Sequence, residues 1–238
     1  IPEMKIDWAQ KSDYLFQQDR VDGFLVVSPH LEDEEKIVLE LKKRRIPFVL
    51  IDNQQSNSTA PSVVADNFKG GYEATSHLIE LGHQKIGHIE GTRGYLSAQE
   101  RKRGYLKALE DHGINYQLVD GGAFDVRCGY EITKKWLKEA NRPTAIFAAD
   151  DQVAFGVIDA AREMGLRVPG DLSVVGYDDH PFASMLHPFL TTVRQPAVEM
   201  SQKGVELLMK QIDGEARRKI TYVLEPQLII RDSTRKLL

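Results

Sequence analysis

Short apolar runs, rich in β-branched residues, alternate along the chain with segments in which apolar residues recur at helical spacing. The apolar runs predict strands at 21–28, 47–52, 62–65, 85–90, 145–149, 172–177, 191–194 and 227–230. The segments between them predict helices at 32–45, 68–81, 98–112, 127–139, 152–164 and 198–212. Apolar strands separated by helices are typical of parallel sheets that are covered on both faces. The pattern therefore predicts a doubly wound α/β fold.

The predicted elements are numerous enough to fill either one large open sheet or two smaller sheets. The stretch 187–196 is bracketed by prolines and contains few helix-forming residues, so it is expected to be an extended connector. Two α/β lobes joined by several extended crossovers account for both features. No internal repeat is evident in the sequence.

Composition narrows the class of protein. The chain has 238 residues, a length typical of one or two soluble domains. Its formal charge of −4 argues against a concentrated basic surface that binds nucleic acid. The longest apolar runs are too short to cross a bilayer, and the first residues do not resemble a signal peptide. We therefore expect a cytoplasmic protein without membrane partners. With one cysteine, Cys128, and no Cys/His cluster, neither an internal disulfide nor a metal site is expected.

Motifs for nucleotide binding and for catalysis are absent from the sequence. It contains neither the P-loop pattern GxxxxGK[ST] nor the dinucleotide pattern GxGxxG. It also lacks the GxSxG nucleophile elbow and the HExxH zinc motif. We therefore expect a protein that is not an enzyme and that uses no cofactor other than a small-molecule ligand.

Aspartates follow three of the predicted strands. Asp52, Asp150 and Asp178 come at the carboxyl ends of their strands, and Asp151 and Asp179 follow directly. Ligands of open α/β sheets bind at that edge, and carboxylates accept hydrogen bonds from the hydroxyls of sugars and polyols. The alternative is that these aspartates cap the helices that follow. Spacing alone favours capping over ligand contact.

Two further residues are candidates for ligand contact. Arg101 falls in the first turns of a predicted helix, where a cation is mildly unfavourable beside the helix dipole, but a charged surface helix is the favoured interpretation of these residues taken alone. Phe124 lies in a predicted loop rather than on an apolar stripe. A loop aromatic can stack on the face of a sugar, but more often it packs against neighbouring side chains.

An ordered series of segments runs through nearly the whole chain: VDGFLVV at 21–27, SVVADNFKGG at 62–71, HLIELGH at 77–83, RKRGY at 101–105, the strand and helix start at 143–156, VPGDLSVVGYDD at 168–179 and LTTVRQP at 190–196. In this order the segments resemble the core of bacterial transcription regulators of the lactose-repressor/galactose-repressor family. Each segment alone is weak evidence for this family, whereas the whole series in this order is specific to it.

The resemblance implies the fold of periplasmic sugar-binding proteins, with two lobes, three crossovers and an effector bound in the cleft. It places an N-terminal lobe at 1–65 plus 196–219 and a C-terminal lobe at 66–195 plus 220–238. The DNA-binding headpiece of the family has no counterpart in this chain. The first β-α-β stretch of the family's N-terminal lobe also has no counterpart in this chain.

The resemblance also implies roles for single residues. Ser97 and Arg101 match positions that bind hydroxyls and charged groups of the effector, and Phe124 matches an aromatic residue that stacks on it. Asp150 and Asp178 match polar groups of the cleft, and Asp52 matches a cleft residue of the first lobe. Family membership favours ligand contact for Arg101 and Asp178, while capping stays open for Asp52 and Asp150.

The function implied is that of a ligand-sensing core of a bacterial transcriptional regulator, which we expect to be a repressor. Such a core forms a homodimer, binds a sugar or sugar derivative, and couples lobe closure to operator DNA binding by a headpiece absent from this chain. Because Arg101 also accepts a phosphate, a carboxylate or a purine oxygen, those effectors stay open. The alternatives are a periplasmic sugar-binding protein of a transporter and, less favoured, an enzyme on an α/β scaffold.

Overall fold

The computed structural model describes residues 21–27, 31–52, 60–214 and 220–237, with the side chains of 31–35 excepted. Parts of the predicted N-terminal lobe, at 1–20, 28–30, 53–59 and 215–219, therefore lie outside the described residues.

Strands and helices alternate through the described chain. The strands are β1 (Phe24–Val26), β2 (Phe48–Ile51), β3 (Ser62–Ala65), β4 (Ile86–Glu90), β5 (Leu118–Gly121), β6 (Ala145–Ala148), β7 (Ser173–Asp178), β8 (Thr191–Arg194), β9 (Thr221–Leu224) and β10 (Gln227–Ile229). The helices are α1 (Leu31–Arg44), α2 (Asn67–Glu80), α3 (Leu96–Asp111), α4 (Val126–Trp136), α5 (Asp151–Glu163) and α6 (Ala197–Ile212). A short 3₁₀ helix spans Pro181–Ser184.

The chain divides into two compact units. The first comprises Ile1–Val64 and Val198–Tyr222, and the second comprises Ala65–Ala197 and Val223–Leu238. The chain passes from one unit to the other three times.

The first unit is built on a four-stranded sheet of order β1-β2-β3-β9, in which β1, β2 and β3 run parallel. The apolar residues of α1 recur at helical spacing, so Val38 and Leu41 are buried against Phe48 and Leu50 of β2. α6 is tied to the same strand, because the Gln211 side chain exchanges two hydrogen bonds with the backbone of Phe48, at 3.0 and 3.4 Å.

The second unit is built on a six-stranded sheet of order β10-β8-β7-β6-β4-β5. Every neighbouring pair is parallel except the edge pair β10–β8. Helices α2 and α3 contribute Leu78 and Tyr105 to one apolar cluster, and α4 and α5 contribute Trp136 and Val157 to another. Because the two clusters draw on alternate residues of β6, Phe147 in one and Ile146 in the other, they lie on opposite faces of the sheet. The predicted doubly wound α/β class is confirmed.

Two strands of the structure are absent from the sequence prediction. β5 contains Asp120 and Gly121 and is half-buried throughout, so it lacks the apolar signal of a central strand. β9 alternates exposed and half-buried residues, so its apolar pattern is equally weak.

Helix α4 ends at Trp136 rather than at 139. The backbone N–H groups of Lys138 and Glu139 donate to the carbonyl oxygens three residues back, of Lys135 and Trp136, instead of continuing the α-helical pattern. Across the described residues, no helix is both long enough and apolar enough to span a membrane.

Candidate functional site

The carboxyl ends of the parallel strands in the six-stranded sheet bring polar side chains to one edge. Asp178 is the last residue of β7, Gln195 follows β8, and Asp150 lies two residues after β6. These strands are adjacent in the sheet order, and ligands of open α/β sheets bind at this edge. All three residues belong to the second unit.

Arg101 lies at the centre of this edge. Its side chain is 3% exposed. Nε donates to Asn67 Oδ1 at 2.8 Å, Nη1 donates to the Ala149 carbonyl oxygen at 2.6 Å, and Nη2 approaches Asp178 Oδ1 at 3.5 Å. The guanidinium carbon also lies 3.6 Å from the centre of the Tyr177 ring, within cation–π range. A guanidinium has five N–H groups, so these contacts leave two of them for a ligand.

The position of Arg101 depends on a close crossing of two helices. A Cβ atom at Gly71 of α2 would lie 2.3 Å from the carbonyl oxygen of Arg101. A Cβ at Gly104 of α3 would lie 2.2 Å from the carbonyl oxygen of Phe68. Glycine at both positions therefore lets the backbones of α2 and α3 touch, which brings Arg101 beside Asn67 at the start of α2.

Asp178 is held in an unusual conformation. Its φ is +104°, a left-handed value that is costly for a residue with a Cβ. The carboxylate accepts a hydrogen bond from Gln195 Nε2 at 2.6 Å in addition to the approach of Arg101. Burial raises the pKa of Asp178, and the Arg101 charge and the Gln195 hydrogen bond oppose that rise. Part of the side chain still reaches solvent, which leaves it accessible to a ligand.

Asp150 caps helix α5, as the capping interpretation predicted. Its Oδ1 accepts a hydrogen bond from the Val153 backbone N–H at 2.7 Å. Burial raises the pKa of Asp150 to about 6, and the neighbouring Asp178 charge adds to the rise while Arg101 opposes it. The carboxylate thus lies in the same electrostatic environment as Asp178 and Arg101. Its contact with an effector stays a prediction.

Asp151 ties three segments of the edge together. Its Oδ1 accepts from the Thr192 hydroxyl of β8 at 2.6 Å, and its Oδ2 accepts from the His180 backbone N–H at 2.6 Å. Burial raises the pKa of Asp151 to about 7 in spite of both bonds. The next aspartate along, Asp179, pairs with Arg194 at 2.7 Å and with Arg231 at 2.6 Å. These contacts fix the loop that directly follows Asp178, the last residue of β7.

Phe124 lies beside Arg101, and its contact with an effector stays a prediction. Its ring centre is 5.9 Å from the Arg101 guanidinium carbon and 6.0 Å from the Tyr95 ring. The ring occupies the space above Gly91, where a Cβ would come within 2.1 Å of it. Phe124 is half-buried, which leaves part of its surface open for stacking.

The two remaining candidates lie in different units. Ser97 is buried on α3, one turn before Arg101 and therefore on the same helix face. Asp52 belongs to the first unit, where it follows β2 with a φ of +52° and its backbone N–H donates to the Val63 carbonyl oxygen at 2.9 Å. Effector contact by either residue stays a prediction.

Sequence reasoning did not assign roles to three residues of this cluster. Asn67 and Gln195 hold Arg101 and Asp178, and Tyr177 lies under the guanidinium. Gln195 directly follows a parallel strand, so the rule that selected the aspartates also selects it. Tyr177 lies inside an apolar strand, and its role depends on a packing contact that no local pattern reveals.

Comparison with known proteins agrees with this architecture. A model of the periplasmic binding protein-like domain matches residues 75–234. The probable HTH-type transcriptional repressor ExuR of Bacillus subtilis is 34% identical over 92% of this chain and 66% of its own length. The HTH-type transcriptional repressor PurR of Mannheimia succiniciproducens is 32% identical over 94% of this chain and 67% of its own. The chain thus spans about two thirds of the length of these relatives.

Solved structures give the same result. The chain superposes with a TM-score of 0.87 and 30% identity on a ribose-bound LacI family transcriptional regulator from Enterococcus faecium, covering 98% of this chain and 86% of the other. The chain therefore belongs to the periplasmic binding protein-like domain family, in the form found in regulators of the lactose-repressor family. Its relatives are named as repressors rather than enzymes, which confirms the expectation that it is not an enzyme.

Proposed function

We propose that this chain is the effector-binding core of a transcriptional repressor and that its effector is a neutral, hydroxyl-rich molecule such as a sugar or sugar derivative. The proposal depends on one observation above all. Arg101, Asp178, Asp150 and Phe124 are distant in sequence but converge at one edge of the six-stranded sheet. The ribose bound to a related regulator supports a sugar for this chain as well.

The charges of the cluster favour a neutral effector. Asp150 and Asp178 face one guanidinium, that of Arg101, and the Asp151 carboxyl lies close enough to both to feel their charges. Burial raises the pKa of all three carboxyls. A further negative charge would meet the same unfavourable environment. Hydroxyl groups satisfy carboxylate acceptors without adding charge, and an apolar sugar face packs on a ring such as that of Phe124.

Arg101 serves mainly to position the acceptors. Since three of its N–H groups are directed at Asn67, Ala149 and Asp178, its charge is largely compensated within the protein. Two remaining N–H groups are enough to bind a ring or hydroxyl oxygen. An anionic effector would compete with Asp178 for the same guanidinium.

Operator binding is assigned to a part of the protein outside these 238 residues. The relatives are named HTH-type repressors, and this chain spans about two thirds of their length. The formal charge of −4 offers no basic footprint for DNA. A helix-turn-helix head that responds to closure of the two lobes is the arrangement that the family resemblance predicts, and such a regulator acts in the cytoplasm.

An exposed apolar patch in the second unit supports the predicted homodimer. Phe182, Met185 and Leu186 lie in and after the 3₁₀ helix and are 51%, 65% and 51% exposed. Contiguous apolar side chains of this size favour burial against another surface, and a second copy of the same chain is the simplest partner.

A thermal-shift screen of the intact protein tests the proposed effector class. Neutral sugars, sugar phosphates and purines are added separately at equal ionic strength, since a ligand that binds the folded state raises the unfolding midpoint. We expect the largest rise with a neutral sugar. A rise confined to phosphorylated compounds or purines would contradict the neutral class, and no rise with any compound would contradict the sensing function.

A further inference from the structure

A polar cavity lies at the edge of the six-stranded sheet opposite the Arg101 cluster. It has a volume of about 200 Å³ and is lined by His83, Arg142, Thr144, Asp171 and Arg235, among others. His83 precedes β4, Thr144 precedes β6 and Asp171 precedes β7, so the cavity lies at the amino-terminal ends of the strands. β4 has five residues, and roughly 3.3 Å of rise per residue puts this edge about 15 Å from the Arg101 cluster.

The wall of the cavity is a fixed hydrogen-bonded frame. His83 is 2% exposed, and its Nδ1 lies 2.9 Å from the Thr144 hydroxyl. Its Nε2 lies 3.0 Å from the Ser173 hydroxyl and 3.2 Å from the Arg235 carbonyl oxygen. The backbone of Arg235 is fixed in turn, because its N–H donates to the Ser173 hydroxyl at 3.1 Å. The base of the Arg235 side chain is therefore anchored beside His83.

The charges of the cavity do not cancel. Arg142 and Arg235 form no side-chain hydrogen bond and no ion pair with any residue in the described part of the chain. Asp171 is engaged by another arginine, since Arg167 donates to both of its carboxylate oxygens, at 3.0 and 3.3 Å. That pairing lowers the pKa of Asp171 to about 2, with a smaller contribution from the charge of Arg235, so the carboxylate is ionised and offsets one of the charges of Arg142, Arg167 and Arg235. Two positive charges remain.

His83 does not add a third charge, nor does it supply an anion. Burial lowers the pKa of His83, and the nearby Arg235 charge lowers it further. The imidazole is therefore neutral at pH 7 and keeps its partners Thr144, Ser173 and Arg235 in place. The surplus positive charge belongs to two side chains whose guanidinium groups present planar forks of donors.

We propose that this cavity binds a small oxyanion, specifically a phosphate group, between Arg142 and Arg235. Guanidinium forks match the oxygens of phosphate in a bidentate way, and two of them compensate its double charge. A volume of about 200 Å³ equals roughly six or seven waters at about 30 Å³ each, which suits a phosphate with a small substituent. The site is separate from the Arg101 cluster and uses none of its residues.

Calorimetric titration of the full chain tests the site. Inorganic phosphate is the first probe and glycerol 3-phosphate is the second, each against chloride at equal ionic strength. The two probes distinguish free phosphate from a phosphomonoester. The double variant Arg142→Gln/Arg235→Gln removes both forks, and Arg127→Gln changes an exposed arginine of α4 as the matched control.

We expect saturable binding of at least one probe to the wild type and to the Arg127→Gln control. The double variant should bind at least about tenfold more weakly, with an unchanged unfolding midpoint in chloride. Absence of saturable binding to the wild type would overturn the proposal. If the double variant bound the probes as tightly as the wild type, the proposal would be overturned as well. The same holds if Arg101→Gln lost the binding of the probes and the double variant kept it.

Discussion

The guanidinium carbon of Arg101 lies 3.6 Å from the centre of the Tyr177 ring, at the carboxyl edge of a parallel sheet. A charge that is 3% exposed is stable there because it is stacked and directed at three acceptors. This relationship makes Arg101 a structural centre of the site as well as a candidate for ligand contact.

Arg101→Met should destabilise the protein by about 2–4 kcal/mol. The methionine fills part of the volume but leaves Asn67 Oδ1 and the Ala149 carbonyl without their donor and removes the positive charge beside Asp178. Urea unfolding of the full chain measures the change. Arg103→Met is the matched control, since Arg103 lies on the same helix in an exposed pair with Glu100 and its loss should cost under about 1 kcal/mol. Equal effects of the two changes would contradict the central position of Arg101.

Phe124→Leu should weaken effector binding by about 0.5–1.5 kcal/mol and leave the unfolding midpoint nearly unchanged, because the ring is half-buried and stacks rather than fills a core. Calorimetry with the sugar that gives the largest thermal shift measures the affinity. A large fall of the midpoint with no separate loss of affinity would mean that Phe124 is a packing residue.

Asp151 predicts a pH dependence of stability. Its folded-state pKa of about 7 lies above the ordinary value of 3.8, so the folded protein binds a proton that the unfolded chain does not bind between these values. Stability should therefore rise as the pH falls from 8 to 6, by about 1 kcal/mol from this group. Asp151→Asn keeps an acceptor for the His180 N–H, presents an N–H donor to the Thr192 hydroxyl oxygen in place of the second acceptor, and removes the titration.

The measurement is urea unfolding of the wild type and of Asp151→Asn at both pH values. The variant should show a flatter profile by about that amount. A profile that is equally steep in both proteins would assign the pH dependence to other groups.

The exposed apolar patch predicts the oligomeric state. The wild-type chain should sediment as a dimer at micromolar concentration, and Leu186→Glu should shift it toward monomer, because a buried carboxylate would have no partner there. Ile230→Glu changes another exposed apolar residue outside the patch and should leave the dimer intact. A wild-type monomer, or a dimer that Leu186→Glu leaves unchanged, would contradict the proposed interface.

Local pattern was sufficient for the central elements of the fold. β6 is an apolar, buried strand, β8 is rich in β-branched residues and buried up to Val193, and the sequence predicts both strands within one residue. Edge strands such as β5 were not predicted, because a half-buried strand has few apolar residues in its sequence. Their positions depend on pairing with β4, which is a tertiary contact.

The site was predictable only in part for a similar reason. The strand-end rule leads to Asp150 and Asp178, since it depends on topology that the pattern reveals. The directions of the Arg101 donors depend on Gly71 and Gly104, whose role is visible once α2 and α3 are in contact. The family resemblance named Arg101 and Phe124 without explaining how either is held.

Calorimetric titration of Asp178→Asn tests the central claim most directly. The ligand is the neutral sugar that gives the largest thermal shift, and Asp159→Asn, which changes an exposed aspartate paired with Arg162, is the matched control. We predict at least tenfold weaker binding to Asp178→Asn and unchanged binding to the control, because the variant replaces a charged acceptor of hydroxyl hydrogen bonds by a neutral one. Wild-type affinity in Asp178→Asn would contradict the assignment of the effector to this edge of the sheet.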